Sequence, residues 1–177
     1  MPVELWQSTV GITRNWQSLG DLQPYMLNFL ENHDEQRIAS EFFAGNAFKA
    51  IPAMVISACM NTNPVMIYFG QELGEPGMDE EGFSGRDGRT TIFDYWTVDT
   101  IRRWRNGGKF DGKLLTKEEK KLQSFYSTLL NLCNKEKAIR EGVFFDLTYA
   151  NLEGVVFNEH KQYAFFRKAG KELILII

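Results

Sequence analysis

Cysteine, proline and histidine are all scarce here: two, five and two residues respectively in a chain of 177. So few cysteines exclude a disulfide framework, and no Cys/His spacing matches a metal site. Cys59 and Cys133 both fall inside apolar helical patterns, where free thiols pack as small hydrophobes. No apolar run approaches the roughly 20 residues of a membrane span. The opening Met1-Pro2-Val3-Glu4-Leu5 is neither basic nor followed by a long apolar stretch, so it does not read as a signal peptide. A gene that starts further upstream would make that reading uninformative about export, and localisation stays open. Internal repeats and low-complexity segments are missing as well.

What is present is an ordinary globular composition, 44% hydrophobic and 24% charged, with a net charge of −3. The distribution of charge carries more than its total. Residues 1–100 hold fourteen acids and five bases, and residues 101–140 hold eleven bases and four acids. A basic middle raises nucleic acid as a partner. Here the bases lie on amphipathic helical sequence and alternate with Glu118, Glu119 and Glu136, which predicts a solvated helix face and no nucleic-acid partner.

A short helix is expected over residues 12–19, then a loop through Pro24. Tyr25-Met26-Leu27-Asn28-Phe29-Leu30 is a nearly continuous apolar run, the signature of a strand buried on both faces of a parallel sheet. Residues 46–60 repeat apolar side chains at helical spacing, with Pro52 near the start. Val65-Met66-Ile67-Tyr68-Phe69 is a second candidate buried strand. Strand, helix, strand is a βαβ unit, whose crossover requires parallel strands. A long loop from Leu73 to about Asp94 is of the kind that is functional or disordered. A short helix is predicted over residues 97–106. Thr116 and Glu119 form a capping box that starts another helix, which runs past Leu122, Tyr126, Leu129 and Cys133.

After Gly142 the pattern changes to short strands at 143–147, 154–157, 163–167 and 173–177, with hairpin connections at 158–162 and 168–171. Strands following a βα segment predict a separate antiparallel β domain. The chain stops inside the apolar strand Ile174-Leu175-Ile176-Ile177, so truncation at both ends is expected.

Two segments carry chemistry. Phe29-Leu30-Glu31-Asn32-His33-Asp34 places polar groups at the carboxyl end of a strand, where parallel α/β folds line their ligand sites. Alone, a His-Asp pair there is explained equally well by a loop-anchoring hydrogen bond. Pro64-Val65-Met66-Ile67-Tyr68-Phe69-Gly70-Gln71-Glu72 follows at one βαβ spacing. Together these segments resemble the last two strands of the α-amylase family, glycoside hydrolase family 13: the first is similar to its fourth conserved region and the second to its final strand. The helix and the β region after Gly142 follow in that family's order, so the resemblance covers nearly the whole chain.

The resemblance implies an α/β fold: the final two β/α units of a (β/α)8 TIM barrel within residues 1–140, followed by part of an antiparallel β-sandwich domain in residues 141–177. It implies that Asp34 is a catalytic carboxylate, the transition-state stabiliser, holding sugar hydroxyls beside the scissile bond. A carboxylate suits that place because the transition state resembles an oxocarbenium ion and hydrogen bonds tighten as its charge develops. It implies that His33 binds a hydroxyl of the same sugar, and that Asp87 and Arg89 touch outer sugars. Asn32 is expected to tie down the loop and Glu72 to serve structurally near the site. Glu31 is either buried structure or solvent-facing. Arg37 either pairs with such a carboxylate or sits on the surface, the latter being at least as expected. Tyr68 is expected in the core, whereas Tyr95 and Trp96 divide evenly between core packing and stacking on sugars. The substrate class implied is an α-glucan or malto-oligosaccharide, with no membrane partner. No cofactor is implied. Calcium occurs with the resemblance only at the level of a longer parent, and the acidic run Asp79-Glu80-Glu81 lacks a calcium-loop pattern.

Absences decide what the chain does alone. A retaining glycosidase needs a nucleophile and an acid carboxylate about 5–5.5 Å apart. No Asp or Glu outside Glu31, Asp34 and Glu72 ends a candidate parallel strand. A full barrel takes roughly 250 residues and eight strands. The expectation is therefore a piece of a retaining α-glucosidic enzyme, inactive by itself. The alternatives are a transglycosylating or noncatalytic member of the same barrel family. The joint presence of His33 and Asp34 favours descent from an active enzyme.

Overall fold

In a computed structural model, residues 8–79, 86–91, 98–151 and 156–177 are described below. Helices and two small sheets alternate along the chain: α1 (Val10–Leu19), β1 (Asn28–Phe29), α2 (Ile51–Cys59), β2 (Val65–Met66), α3 (Asp99–Arg105), α4 (Lys117–Lys135), α5 (Lys137–Glu141), β3 (Val143–Asp146), β4 (Phe165–Ala169) and β5 (Glu172–Ile176). They fall into two compact units, each built from segments distant in sequence. One comprises residues 1–28, 58–64 and 132–177; the other comprises 29–57 and 65–131.

The first unit is organised by the sheet β3-β4-β5, which is antiparallel throughout. Phe145 faces Phe166, and Phe166 faces Leu175. The β4–β5 turn passes through Gly170 at φ +59°, a left-handed conformation that favours glycine. Period-two alternation sends Phe165 and Arg167 inward, at 0% and 1% exposed. Phe144 packs on Phe165 and on Trp16 of α1. Asp146 accepts hydrogen bonds from the Thr13 and Tyr163 hydroxyls. Arg167 donates to the carbonyls of Met60, Ala138, Ile139 and Gly142. These carbonyls lie at or just past helix C-termini, where a cation is favourable.

The second unit is built around α4. Leu122, Tyr126 and Leu129 recur at spacings of three and four and turn one stripe inward. The predicted capping box forms: Thr116 Oγ1 accepts from the Glu119 N–H, and Glu119 accepts from the Thr116 N–H. Glu119 also binds Arg103 of α3. Gly74, at φ +74°, packs against Ala47 and Leu122, where a Cβ would lie 3.0 and 3.3 Å from their carbons.

Two expectations are corrected. The six-residue run 25–30 and the run 65–69 yield strands of two residues each, which form a two-stranded sheet. In the first run burial on both faces does not occur: Tyr25 is 86% exposed, and Leu27 and Phe29 are also exposed. Such burial needs neighbouring strands and covering helices; among the described residues these two strands have only each other in their sheet. The strand expected at 154–157 is also not found where it is described, because Val156 and Phe157 are irregular and Val156 is 95% exposed. Residues 154 and 155 lie outside the described residues.

Candidate functional site

The segment after β1 turns sharply, and the turn is braced twice. At its base, Glu31 Oε1 accepts from the Ile38 N–H at 2.6 Å, which closes the loop 31–38 on itself. Within it, Asn32 Oδ1 accepts from the backbone N–H groups of Asp34 and Glu35, each at 2.9 Å. Asn side chains favour such turns because they imitate a backbone acceptor two residues on. His33 and Asp34 thus ride at the tip of a fixed loop. Their Nε2 and Oδ1 atoms are 3.5 Å apart, and their side chains are 44% and 70% exposed.

Beneath that tip lies a buried polar knot. Arg37 is fully buried and pairs with Glu31 at 2.9 Å. Its other donors reach Thr90 Oγ1 at 2.8 Å and the Phe69 carbonyl at 2.9 Å. Its guanidinium sits 4.8 Å from the Tyr68 ring centre, and the Tyr68 hydroxyl donates to the Thr90 carbonyl. One arginine therefore links the tip of the first strand, the tip of the second and the loop around residue 90. A buried charge requires this number of partners. The reading of Arg37 as a surface residue is thereby corrected, and Glu31 is buried structure.

The same knot positions Asp87 and Arg89. The Arg37 N–H donates to the Gly88 carbonyl at 2.6 Å, and Gln36 Nε2 donates to the Asp87 carbonyl at 3.2 Å. Gly88 is at φ +82°, and a Cβ there would fall 2.3 Å from Ser40 Oγ. A Cβ on Gly77 would fall 2.7 Å from the Gly88 carbonyl carbon. Only glycine lets the backbone run this close. The Asp87 and Arg89 side chains pair with each other at 2.7 Å and are 17% and 33% exposed.

Burial sets the chemistry of several acids. It raises Glu31 above its ordinary value, against the opposing pull of Arg37 and the Ile38 N–H. It raises Glu72 as well, again opposed by its own backbone hydrogen bond and by Arg37. Glu72 lines a cavity of about 400 Å³ with Ile67, Phe69 and Tyr126. The Tyr126 hydroxyl, pushed up to about 12 chiefly by burial, accepts from Gln71. Glu75, 1% exposed, accepts from the Gly77 N–H and the Thr100 hydroxyl.

Of the residues singled out in sequence, the structure brings the loops of His33-Asp34 and Asp87-Arg89 side by side and places Glu72 after the second strand. Tyr95, Trp96, Glu80 and Glu81 lie outside the described residues. Sequence reasoning did not find Thr90, Gly77, Gly88 or Glu75. The spacing of the two glycines around an acidic, arginine-bearing loop was the available signal. Among the described residues no group of three or more His, Cys, Asp or Glu is arranged to hold a metal ion, and no helix is long and apolar enough to cross a membrane.

No curated protein matches the sequence. The Alpha-amylase family model, described as alpha amylase, catalytic domain, matches residues 4–142.

Proposed function

Because the chain belongs to the α-amylase catalytic-domain family, we propose that it supplies the final two strand–helix units of a (β/α)8 barrel that cleaves α-glucosidic bonds with retention. The carrying observation is the braced loop. Glu31, Asn32 and Arg37 hold its frame, and the two groups left at its tip, His33 and Asp34, face solvent. A protein that fixes a loop so thoroughly and leaves a carboxylate and an imidazole on its crown has prepared them for a ligand.

In this reading Asp34 is the transition-state stabiliser, accepting from sugar hydroxyls whose acidity grows as the ring becomes oxocarbenium-like. His33 holds a hydroxyl of the same sugar. Asp87 and Arg89, already paired, bind outer sugars of an α-glucan or malto-oligosaccharide. Asn32 and Glu72 act structurally, Asn32 through its turn and Glu72 in the wall beside the second strand. The nucleophile and the general acid come from other strands of the barrel, so this chain alone is inactive. The 143–176 sheet belongs to a β-sandwich that follows the barrel, with the domains dividing at about residue 140.

The test is turnover of starch and pullulan by the longer polypeptide that carries this segment, with Asp34→Asn alongside. Loss of activity by several orders of magnitude with an unchanged fold is expected. Undiminished turnover in Asp34→Asn removes the catalytic assignment. Product analysis separates hydrolysis from glycosyl transfer.

A further inference from the structure

Cys59 is the last residue of α2 and Cys133 lies in the last turn of α4; both are free thiols, and their Sγ atoms are 3.7 Å apart. We propose that Cys59 and Cys133 form a redox dithiol, which a low-molecular-weight disulfide converts reversibly into an intrachain disulfide.

The geometry is that of contact without a bond. A disulfide needs about 2.05 Å between the sulfurs, so the pair must close by less than about 2 Å. The two thiols are unequal in access. Cys59 is 1% exposed, whereas Cys133 is half-buried. An oxidant therefore meets Cys133 first. The two are also unequal in acidity: their contact draws the Cys133 thiol below the ordinary value, while the same contact, together with burial, pushes Cys59 up. Thiolate forms at the sulfur that solvent can reach, as attack requires.

The second step needs Cys59 to ionise, and a cation lies near it. The Cys133 contact and burial hold the Cys59 proton on, and the charge of Arg167 works against them more weakly; once Cys133 is tied up in the mixed disulfide, its share of that resistance is gone. Arg167 is 1% exposed, and its hydrogen-bond partners among the described residues are all backbone carbonyls. Its charge is thus balanced by helix-end dipoles, with no carboxylate competing for it in those bonds.

The steps balance. The Cys133 thiolate attacks one sulfur of the small disulfide and expels its other half as a thiolate. Cys59, losing its proton to water, then attacks the Cys133 sulfur of the mixed disulfide and expels the second half. Two protein thiols become one disulfide, one small disulfide becomes two thiols, and two electrons move between them. The ring so closed contains β2, the 86–91 loop and α3, so oxidation restrains the unfolded chain across the segment that carries Asp87 and Arg89.

The test equilibrates the full chain with mixtures of reduced and oxidised glutathione, in buffer and in concentrated urea, and reads intact mass, alkylatable thiols and the linked peptides. A product lighter by two hydrogens, with Cys59 joined to Cys133, is expected. Its equilibrium constant in buffer should exceed that in urea by at least about tenfold, near 30 mV in potential, and its thermal midpoint should rise. In Cys59→Ser, oxidation should stop at a mixed disulfide on Cys133. Wild-type protein that stops there, cross-links between chains, or shows equal constants in buffer and urea overturns the proposal.

Discussion

Glu31 and Arg37 meet at 2.9 Å in the protein interior, with side chains 3% and 0% exposed. A pair so placed has surrendered the hydration of two ions, and its own attraction barely offsets that cost. Its worth is in what it joins: one guanidinium reaches the Glu31 carboxylate, the Phe69 carbonyl and the Thr90 hydroxyl. Removing one member leaves the other charged and buried. Arg37→Met should therefore destabilise the protein by about 3–5 kcal/mol. The double variant Glu31→Leu/Arg37→Met should recover part of that loss. Urea unfolding of the three variants checks this, and a single-variant cost below about 1 kcal/mol would show the pair to be dispensable.

Gly88 and Gly77 make a second, independent demand on the same loop. At φ +82° and +60°, each lies in backbone space that L side chains avoid, and an added Cβ meets Ser40 or the Gly88 backbone itself. Gly88→Ala should cost about 1–3 kcal/mol from strain, and more if Ser40 cannot yield. Gly170 also has positive φ but stands in open space with nothing within 4 Å of its would-be Cβ. Gly170→Ala should be milder, about 1 kcal/mol. Equal effects at the two positions would mean that close packing at Gly88 contributes nothing.

These features mark where the sequence was readable and where it was not. The α4 helix and its capping box were legible because the Thr116–Glu119 spacing and the recurrence of Leu122, Tyr126 and Leu129 are local signals. The β4–β5 hairpin was legible for the same reason, through two short strand-like runs and the turn residues between them, Gly170 among them. Strand lengths were not. The runs at 25–30 and 65–69 state an apolar composition, but how many residues join a ladder depends on what lies beside it. The role of Arg37 was hidden for a related reason: its partners Thr90 and Phe69 are 53 and 32 positions away. The Glu31–Arg37 contact is closed by a turn, so no helical or strand periodicity announces it. The two strand tips and the 86–91 loop were recognisable as candidates; the knot that joins them was not.

Glu72 gives a pH signature. Burial raises its folded-state value above the ordinary 4.5. The folded protein then binds a proton that the unfolded chain has released, so this group favours folding at low pH. That contribution disappears as pH rises through the window above 4.5. Glu72→Gln should remove this slope and leave the protein more stable than wild type at neutral pH. Unfolding free energies of wild type and Glu72→Gln between pH 4 and 8 check it; identical slopes in the two would exclude burial of this carboxyl as a source of the pH dependence.

The tip residues should behave oppositely to the knot. His33 and Asp34 are 44% and 70% exposed, and the ion pair between them lies at the surface. Surface substitutions away from such features change stability by roughly 0.5 kcal/mol or less, so His33→Ala and Asp34→Asn should leave the unfolding midpoint nearly unmoved. In the longer polypeptide, however, groups that tighten on the developing transition state should show their loss mainly in kcat. His33→Ala is expected to lower kcat/KM by about 10²–10³, in the range found for removing one preorganised donor. Measuring stability and kcat/KM on the same preparations separates the roles. A drop in activity that tracks a drop in stability would assign both residues to the frame of the loop and leave the sugar-binding reading without its two best candidates.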